Sequence, residues 1–320
     1  MKFEGIRTIA VLGAGIMGHG IAQAFLMNGY PVRLYDLKGP ILDTARAHIE
    51  KNLELFHDRG LLKKHEIEPA LQRLTTTTEL QAAAQGSDFI VEAAPENLAV
   101  KQDLFQRVES FCHADAIIAS NTSSLMMTDI GARVKKKDRL VITHWFNPPH
   151  IVPTVEVVKG EQTSDATVTT TIRLLSRIRK LPVKINLELP GFLVNRIQAA
   201  MAREVIDLYE KGVASAADID QAIKGSIGFR LASIGMLLTM DLGGLDIWLK
   251  VCENLAPQIQ SMTEPPKALQ NLVAQGHYGI KSGKGFYDYT LDSSRAELDE
   301  TVRKRDKEFL ERLRADYWNK

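Results

Sequence analysis

Thr8-Ile9-Ala10-Val11-Leu12-Gly13-Ala14-Gly15-Ile16-Met17-Gly18 sets four apolar residues in a row before glycines spaced GxGxxG, and a helical apolar pattern follows to Met27. An unbroken aliphatic run predicts a strand covered on both faces. Gly13 permits a tight turn, Gly15 lets the backbone approach a pyrophosphate, and Gly18 lets the helix pack closely on the strand. The start of that helix, Ile16 and Met17, presents free N–H groups and partial positive charge to phosphates. Asp36 closes the next apolar run, 23 residues beyond Gly13. A carboxylate at that spacing reaches the ribose hydroxyls of an adenosine and repels a 2′-phosphate, which predicts NAD.

Outward from this stretch, short aliphatic runs alternate with amphipathic ones as far as about residue 185. The expected strands are Thr8–Leu12, Val32–Asp36, Phe89–Glu92, Ala116–Ser120, Leu140–Thr143, Val155–Val158 and Pro182–Ile185. That alternation predicts βα units of a doubly wound, Rossmann-type α/β sheet. Ile41–Arg59 and Lys64–Arg73 read as an inserted helical hairpin broken at Gly60. Past Pro190-Gly191 the strand signals stop, and an all-helical domain is expected. The expected organisation is residues 1–187 for the dinucleotide-binding domain, 188–290 for the helical domain, and 291–320 for a charged C-terminal helix. That last helix carries a sparse stripe of Leu298, Val302, Phe309, Leu313 and Trp318.

Composition narrows the function. The chain has 320 residues, with 40 Lys plus Arg against 39 Asp plus Glu, for a formal charge of +1. So even a balance offers no field for nucleic acid or an anionic membrane. No apolar run has the length of a membrane span, and Met1–Arg7 carries no apolar signal core, so export is not expected. Cys112 and Cys252 form no CxxC pair, which predicts free thiols in a cytoplasmic protein and no metal site.

Three later segments hold groups suited to chemistry: Ser120-Asn121-Thr122-Ser123-Ser124, Thr143-His144-Trp145-Phe146-Asn147-Pro148-Pro149 and Val155-Glu156-Val157-Val158. The first two follow expected strands, where an open parallel sheet places its ligand crevice. An imidazole can accept a hydroxyl proton near neutral pH, which makes His144 the candidate base. If the Pro148-Pro149 turn folds the chain back, Glu156 can hold one ring nitrogen and leave the other for substrate.

The chain resembles the L-3-hydroxyacyl-CoA dehydrogenase family along nearly its whole length. The resemblance is carried by GAGIMGHGIAQAF at Gly13–Phe25, PENLAVKQDLF at Pro95–Phe105, SNTSSL at Ser120–Leu125, HWFNPP at His144–Pro149, VEVVKG at Val155–Gly160, PGFLVNRI at Pro190–Ile197 and KSGKGFYDY at Lys281–Tyr289. It implies that His144 is the base, that Glu156 is its partner, and that Ser123 and Asn195 hydrogen-bond the reacting oxygen or the base. It also implies that Asp36, Glu96, Lys101, Asn121 and Lys281 line the NAD site. Oxidation of a short-chain L-3-hydroxyacyl-CoA, within fatty acid metabolism, is the activity implied, and a homodimer through the helical domain the assembly. Arg59 stands where such enzymes commonly place a lysine that meets CoA phosphates, and is the candidate substrate ligand. Pro95-Glu96-Asn97, Asn147-Pro148-Pro149-His150, Val152-Pro153 and the C-terminal helix look instead like the branch that oxidises carnitine, gulonate or a pyridine carboxylate. Taken one by one the residues have plainer readings: His144 a satisfied core histidine, Ser123 a helix cap, Asn195 a structural hydrogen bond, Glu96 and Lys101 an exposed helix pair.

Overall fold

The computed structural model describes residues 3–289 and 295–318, side chains of 295–299 excepted. The chain forms two compact units, Met1–Val194 with Arg303–Lys320, and Asn195–Val302.

The first unit is an eight-stranded sheet with helices on both faces. In chain order its elements are β1 (Ile9–Leu12), α1 (Ile16–Met27), β2 (Val32–Tyr35), α2 (Gly39–Asp58), α3 (Lys64–Gln72), β3 (Leu74–Thr77), α4 (Leu80–Ala84), β4 (Phe89–Glu92), α5 (Leu98–Phe111), β5 (Ile117–Ser120), α6 (Met127–Ile130), β6 (Leu140–Trp145), β7 (Thr154–Val158), α7 (Asp165–Arg177) and β8 (Leu181–Ile185). The strands lie in the order β3-β2-β1-β4-β5-β6-β7-β8. All neighbours are parallel except β6 and β7, which run antiparallel.

Strand alternation builds two cores. Ile9, Val11, Phe89, Val91, Ile117, Ala119 and Val141 enter one cluster with Phe25, Phe56 and Trp145. Ala10, Leu12, Ile90, Ile118, Leu140 and Ile142 enter the other with Phe105 and Val108. Because successive side chains point to opposite faces, a strand covered on both sides must be apolar throughout, as β1 is. Each Val, Leu, Ile or Phe among them contributes about 1.5–3 kcal/mol on burial.

The expected strands all form, within a residue or two of their predicted ends. β6 is longer than expected and runs through His144 to Trp145, so the candidate base sits within a strand rather than after it. The hairpin forms as α2 and α3. The sequence reading missed β3, an edge strand reading Leu-Thr-Thr-Thr in which only Leu74 is buried.

The second unit is helical: most of α8 (Val194–Glu210), then α9 (Ala216–Gly225), α10 (Ile227–Leu231), α11 (Met236–Gly243), α12 (Leu245–Leu255) and α13 (Lys267–Ala274). Within it, the backbone N–H of Gln260 donates to Glu204 and its side-chain amide to Asp207, tying the segment after α12 to α8. The last helix, α14 (Arg295–Leu313), is continued by a π-turn over Arg314–Trp318. From Arg303 onward this segment belongs to the first unit. Its buried anchors are Leu310 and Leu313, with Trp318 packed beside Phe56. Phe309, expected in the stripe, is 38 % exposed, and Leu310 takes its place. The side chain of Leu298 lies outside the described ones.

Candidate active site

The glycine turn opens at the end of β1, where the strand order reverses between β1 and β4. Ligands of open α/β sheets bind at such switch points. Gly13 has φ +106, and a Cβ there would lie 2.5 Å from the Ala93 carbonyl oxygen. A Cβ on Gly18 would fall 1.7 Å from the Gly13 carbonyl oxygen. Both positions therefore demand glycine. At Gly15 a Cβ would meet nothing within 4 Å, so the backbone above it is open to a close-lying group. Ile16, at the start of α1, is exposed, while Met17 packs partly on the core. Asp36 follows β2, and its Oδ2 accepts the Ala14 N–H at 2.8 Å, which ties the acid to the turn. These residues fit a dinucleotide: open N–H groups for the pyrophosphate, and a carboxylate for the ribose.

On the far side of the switch point, a network of charges underlies the loop after β5. Lys101, on α5, is 1 % exposed and donates to Glu92 at 2.6 Å, lying 3.3 Å from Glu96. It is not the exposed helix partner that sequence spacing allows. Glu96 accepts from Thr122 Oγ1 at 2.5 Å, from the Ser123 N–H at 3.2 Å and from Ser124 Oγ at 2.9 Å. Burial alone would raise its carboxyl, but these hydroxyls and the Lys101 charge outweigh it and hold Glu96 below the usual carboxylate range. Asn121 Oδ1 accepts the Trp145 N–H at 2.9 Å, which fastens the same loop beside β6.

His144 and Glu156 stand directly opposite each other in the antiparallel register of β6 and β7. His144 Nδ1 donates to Glu156 Oε2 at 2.7 Å, and both side chains are buried. A carboxylate only accepts, so the proton of the neutral ring sits on Nδ1 and leaves Nε2 as a free base. Phe146 and Phe192 flank the ring, with centroids 4.5 and 5.6 Å away. The connection that folds Glu156 back is braced by Lys180, whose buried ammonium donates to the carbonyls of Pro149 at 2.7 Å and Val152 at 2.8 Å. Burial pushes that ammonium down to about 7.

Glu156 has a second attachment that sequence reasoning missed. Its Oε1 accepts the N–H groups of Leu193 at 3.1 Å and Val194 at 2.8 Å, the first turn of α8. Gly191 and Phe192, both left-handed with φ 78 and 48, turn the chain into this position. A carboxylate at a helix N-terminus satisfies donors that the helix leaves open. No spacing rule links residue 156 to 193. The Pro-Gly-Phe turn was the one signal in the sequence, but it marks a helix start and not its acceptor.

Of the other candidates, Asn195 is half-buried directly after this capped turn, and Lys281 is exposed in the turn between Gly279 and Lys284, both in the second unit. Arg59 lies at the tip of the hairpin and pairs with Glu311 of the C-terminal helix at 3.2 Å, while Arg314 donates to its carbonyl oxygen. Among the described residues no group of three or more His, Cys, Asp or Glu side chains could hold a metal ion, and no helix is long and apolar enough to cross a membrane.

Residues 8–188 match the model of the 3-hydroxyacyl-CoA dehydrogenase NAD binding domain, and residues 191–289 that of the 3-hydroxyacyl-CoA dehydrogenase C-terminal domain. The chain is 32% identical, over 93% of its length and 96% of the other's, to 5-formyl-3-hydroxy-2-methylpyridine 4-carboxylate 5-dehydrogenase of Mesorhizobium japonicum. It is 35% identical, over 88% of its length and 99% of the other's, to 3-hydroxybutyryl-CoA dehydrogenase of Clostridioides difficile. The crystal structure of a 5-formyl-3-hydroxy-2-methylpyridine 4-carboxylic acid 5-dehydrogenase, described as an NAD+ dependent dismutase, superposes with TM-score 0.88 at 31% identity, covering 95% of this chain and 96% of that one. The (S)-3-hydroxybutyryl-CoA dehydrogenase of Ralstonia eutropha gives TM-score 0.73 at 32% identity, covering 89% and 100%.

Proposed function

The chain belongs to the 3-hydroxyacyl-CoA dehydrogenase family of NAD-dependent oxidoreductases, and from that premise we propose that it oxidises a hydroxyl group on a compact substrate that carries no CoA. His144 is the proton acceptor and Glu156 its partner. Gly13, Gly15, Ile16, Met17, Gly18 and Asp36 would hold NAD, which would supply the hydride acceptor. As the hydride leaves the carbon, the hydroxyl proton passes to His144 Nε2 and the carbon–oxygen bond becomes a carbonyl. The imidazolium that forms is stabilised by the Glu156 carboxylate, 2.7 Å from Nδ1. Ser123 hydrogen-bonds the reacting oxygen or the base. In the reverse direction His144 returns the proton.

One observation carries the choice of substrate: the Arg59 guanidinium, expected to meet CoA phosphates, is paired with the carboxylate of Glu311 on the chain's own C-terminal helix. A phosphate arriving at that guanidinium would lie against the same carboxylate. The aromatic walls of His144 and the fuller structural match to the pyridine carboxylate enzyme support the same reading. The short-chain thioester expected from the sequence keeps the support of Ser120–Ser124, of Lys281–Gly285, and of similarity to the 3-hydroxybutyryl-CoA dehydrogenases. NADH formation measured side by side with L-3-hydroxybutyryl-CoA, free 3-hydroxybutyrate, carnitine, gulonate and 5-formyl-3-hydroxy-2-methylpyridine 4-carboxylate, whose formyl group carries an oxidisable hydroxyl once water has added to it, separates the two. A thioester kcat/KM above all the others would overturn the compact-substrate reading and restore the acyl-CoA one.

A homodimer through the helical unit is part of the proposal. That unit leaves Phe229, Leu237, Leu242 and Ile247 more than half exposed, an apolar surface of the kind that marks an interface. Sedimentation velocity giving a monomer would contradict it. The free thiols Cys112 and Cys252 support a reducing, cytoplasmic setting.

A further inference from the structure

Three histidines that the proposed chemistry does not use meet beside the glycine turn. His19 stands on α1, His48 on α2, and His150 in the loop that joins β6 to β7. The ring centroids of His19 and His48 are 5.1 Å apart, and those of His19 and His150 are 6.4 Å apart. His19 Nδ1 donates to the Gly15 carbonyl at 2.9 Å, which fixes its ring to the turn. His150 is 8 % exposed, its ring centroid lies 6.1 Å from that of Phe56, and its Nδ1 is buried without a hydrogen-bond partner. That nitrogen faces Gly20, where a Cβ would lie 2.8 Å from it. A lone pair against a Cα–H costs less than a buried N–H with no acceptor, so the neutral ring carries its proton on Nε2, the edge turned away from α1.

The charges that act on His150 are all positive. Burial first, and then His19, Lys180 and Arg305, push it down to about 3. Burial, and after it His48, also lowers His19, against the opposing bond to Gly15. Lys180 is spent on two backbone carbonyls. Arg305, on α14, donates from Nε and one terminal nitrogen to Asp306 Oδ1 at 2.9 and 2.7 Å, and its side chain stays 42 % exposed. A place so arranged repels cations and offers its N–H groups to an anion.

We propose that His19, His48, His150 and Arg305 form a subsite for the carboxylate of the substrate. The inference rests on the compact-substrate reading. Free 3-hydroxybutyrate, carnitine, gulonate and the pyridine carboxylate share that one group, and an acyl-CoA has none. The loop that carries His150 leaves the end of the strand that carries His144, so one segment serves both the reacting hydroxyl and the anion. An arriving carboxylate meets the Nε2–H of His150 and the guanidinium of Arg305, and opposes the burial that keeps His19 neutral.

His19 also holds the glycine turn and His150 is buried, so the working variants are His48→Gln, Arg305→Gln and the two together, both side chains being exposed. Steady-state kcat and KM are measured with L-3-hydroxybutyryl-CoA and with each of the four carboxylates, and the Kd of NAD+ by fluorescence titration. The double variant should raise the KM of the carboxylate turned over best by about tenfold or more. Its kcat, the thioester KM and the Kd of NAD+ should stay within about threefold of wild type. The uncharged carboxamide of the same compound should lose no affinity between wild type and double variant; an equal loss would overturn the assignment to a carboxylate. An unchanged KM, with a carboxylate still preferred to the thioester, would overturn the subsite and leave the compact-substrate reading standing. A raised Kd for NAD+ with the substrate KM unchanged would overturn it as well, and give the histidines to the phosphates of the cofactor. A wild type that works best on the thioester would overturn the reading itself, and the subsite with it.

Discussion

Exchanging Glu156 for Gln replaces one oxygen by an NH2 with almost no change of shape, and the two attachments of this side chain decide the effect. The amide can be seated in two ways. In one, the NH2 faces the Leu193 and Val194 N–H groups, and those two donors lose their acceptor at about 1–3 kcal/mol each. In the other, the carbonyl keeps the helix and the NH2 points at His144. The second is preferred by about 2–6 kcal/mol. There His144 Nδ1 must accept rather than donate, so its proton moves to Nε2 and the atom proposed to take the substrate proton is already occupied. The expected loss in kcat is about 10²–10⁴, the range of general acid–base catalysis. Stability changes less: three bonds go from charged to neutral at about 1 kcal/mol apiece, or roughly 6–12 °C in Tm for a domain of this size. NADH formation at saturating NAD+ and substrate, with thermal unfolding by circular dichroism, reads both quantities. A Glu156→Gln enzyme that kept its kcat within about threefold of wild type would refute the tautomer argument.

The same geometry sets three further expectations. His144→Gln should bind NAD+ with nearly wild-type affinity while kcat falls by about 10²–10⁴; turnover close to wild type would remove His144 from the chemistry. Asp36→Ser should lower the kcat/KM preference for NAD+ over NADP+ by about tenfold or more, worth about 1.4 kcal/mol, because the charge that repels a 2′-phosphate is gone; an unaltered ratio counts against Asp36 at the ribose. Lys180 gives a pH test. Its ammonium titrates at about 7 in the folded chain and at about 10.4 when unfolded, so between these values the unfolded chain binds more protons and stability rises with pH, by up to about 1.4 kcal/mol per unit. Urea unfolding at pH 7.5 and 8.5 should show that rise in wild type and lose it in Lys180→Met; equal slopes in the two proteins would exclude Lys180 as its source.

Much of this architecture was legible in sequence because its strands are buried on both faces, which forces unbroken aliphatic runs such as Ile9–Leu12 and Phe89–Glu92. The edge strand β3 escaped because an edge needs no such run: Leu74 is buried and Thr75, Thr76 and Thr77 are not. The pairing of His144 with Glu156 could be anticipated, since a proline-rich turn between two short strands brings residues 12 apart into register. The burial of Lys101 could not. At the level of spacing, a lysine five residues after Glu96 is an ordinary solvated side chain, and only its pairing with the buried Glu92 at the end of β4 makes it an interior cation. The C-terminal helix shows the same limit. Its apolar residues are too sparse to fix a face, so Leu310 and Phe309 exchange roles between expectation and structure.

The shared carboxylate of Glu156 has a consequence for recombining this chain with its relatives. The residues leading into α8 belong chemically to the sheet, because their amides end on the same side chain that orients the imidazole. A chimera joined at residue 187 would import a foreign Pro-Gly-Phe turn and re-aim that carboxylate along with the new helices. Joined after Val194, it would exchange the helical half and leave the pair of His144 and Glu156 on its native footing.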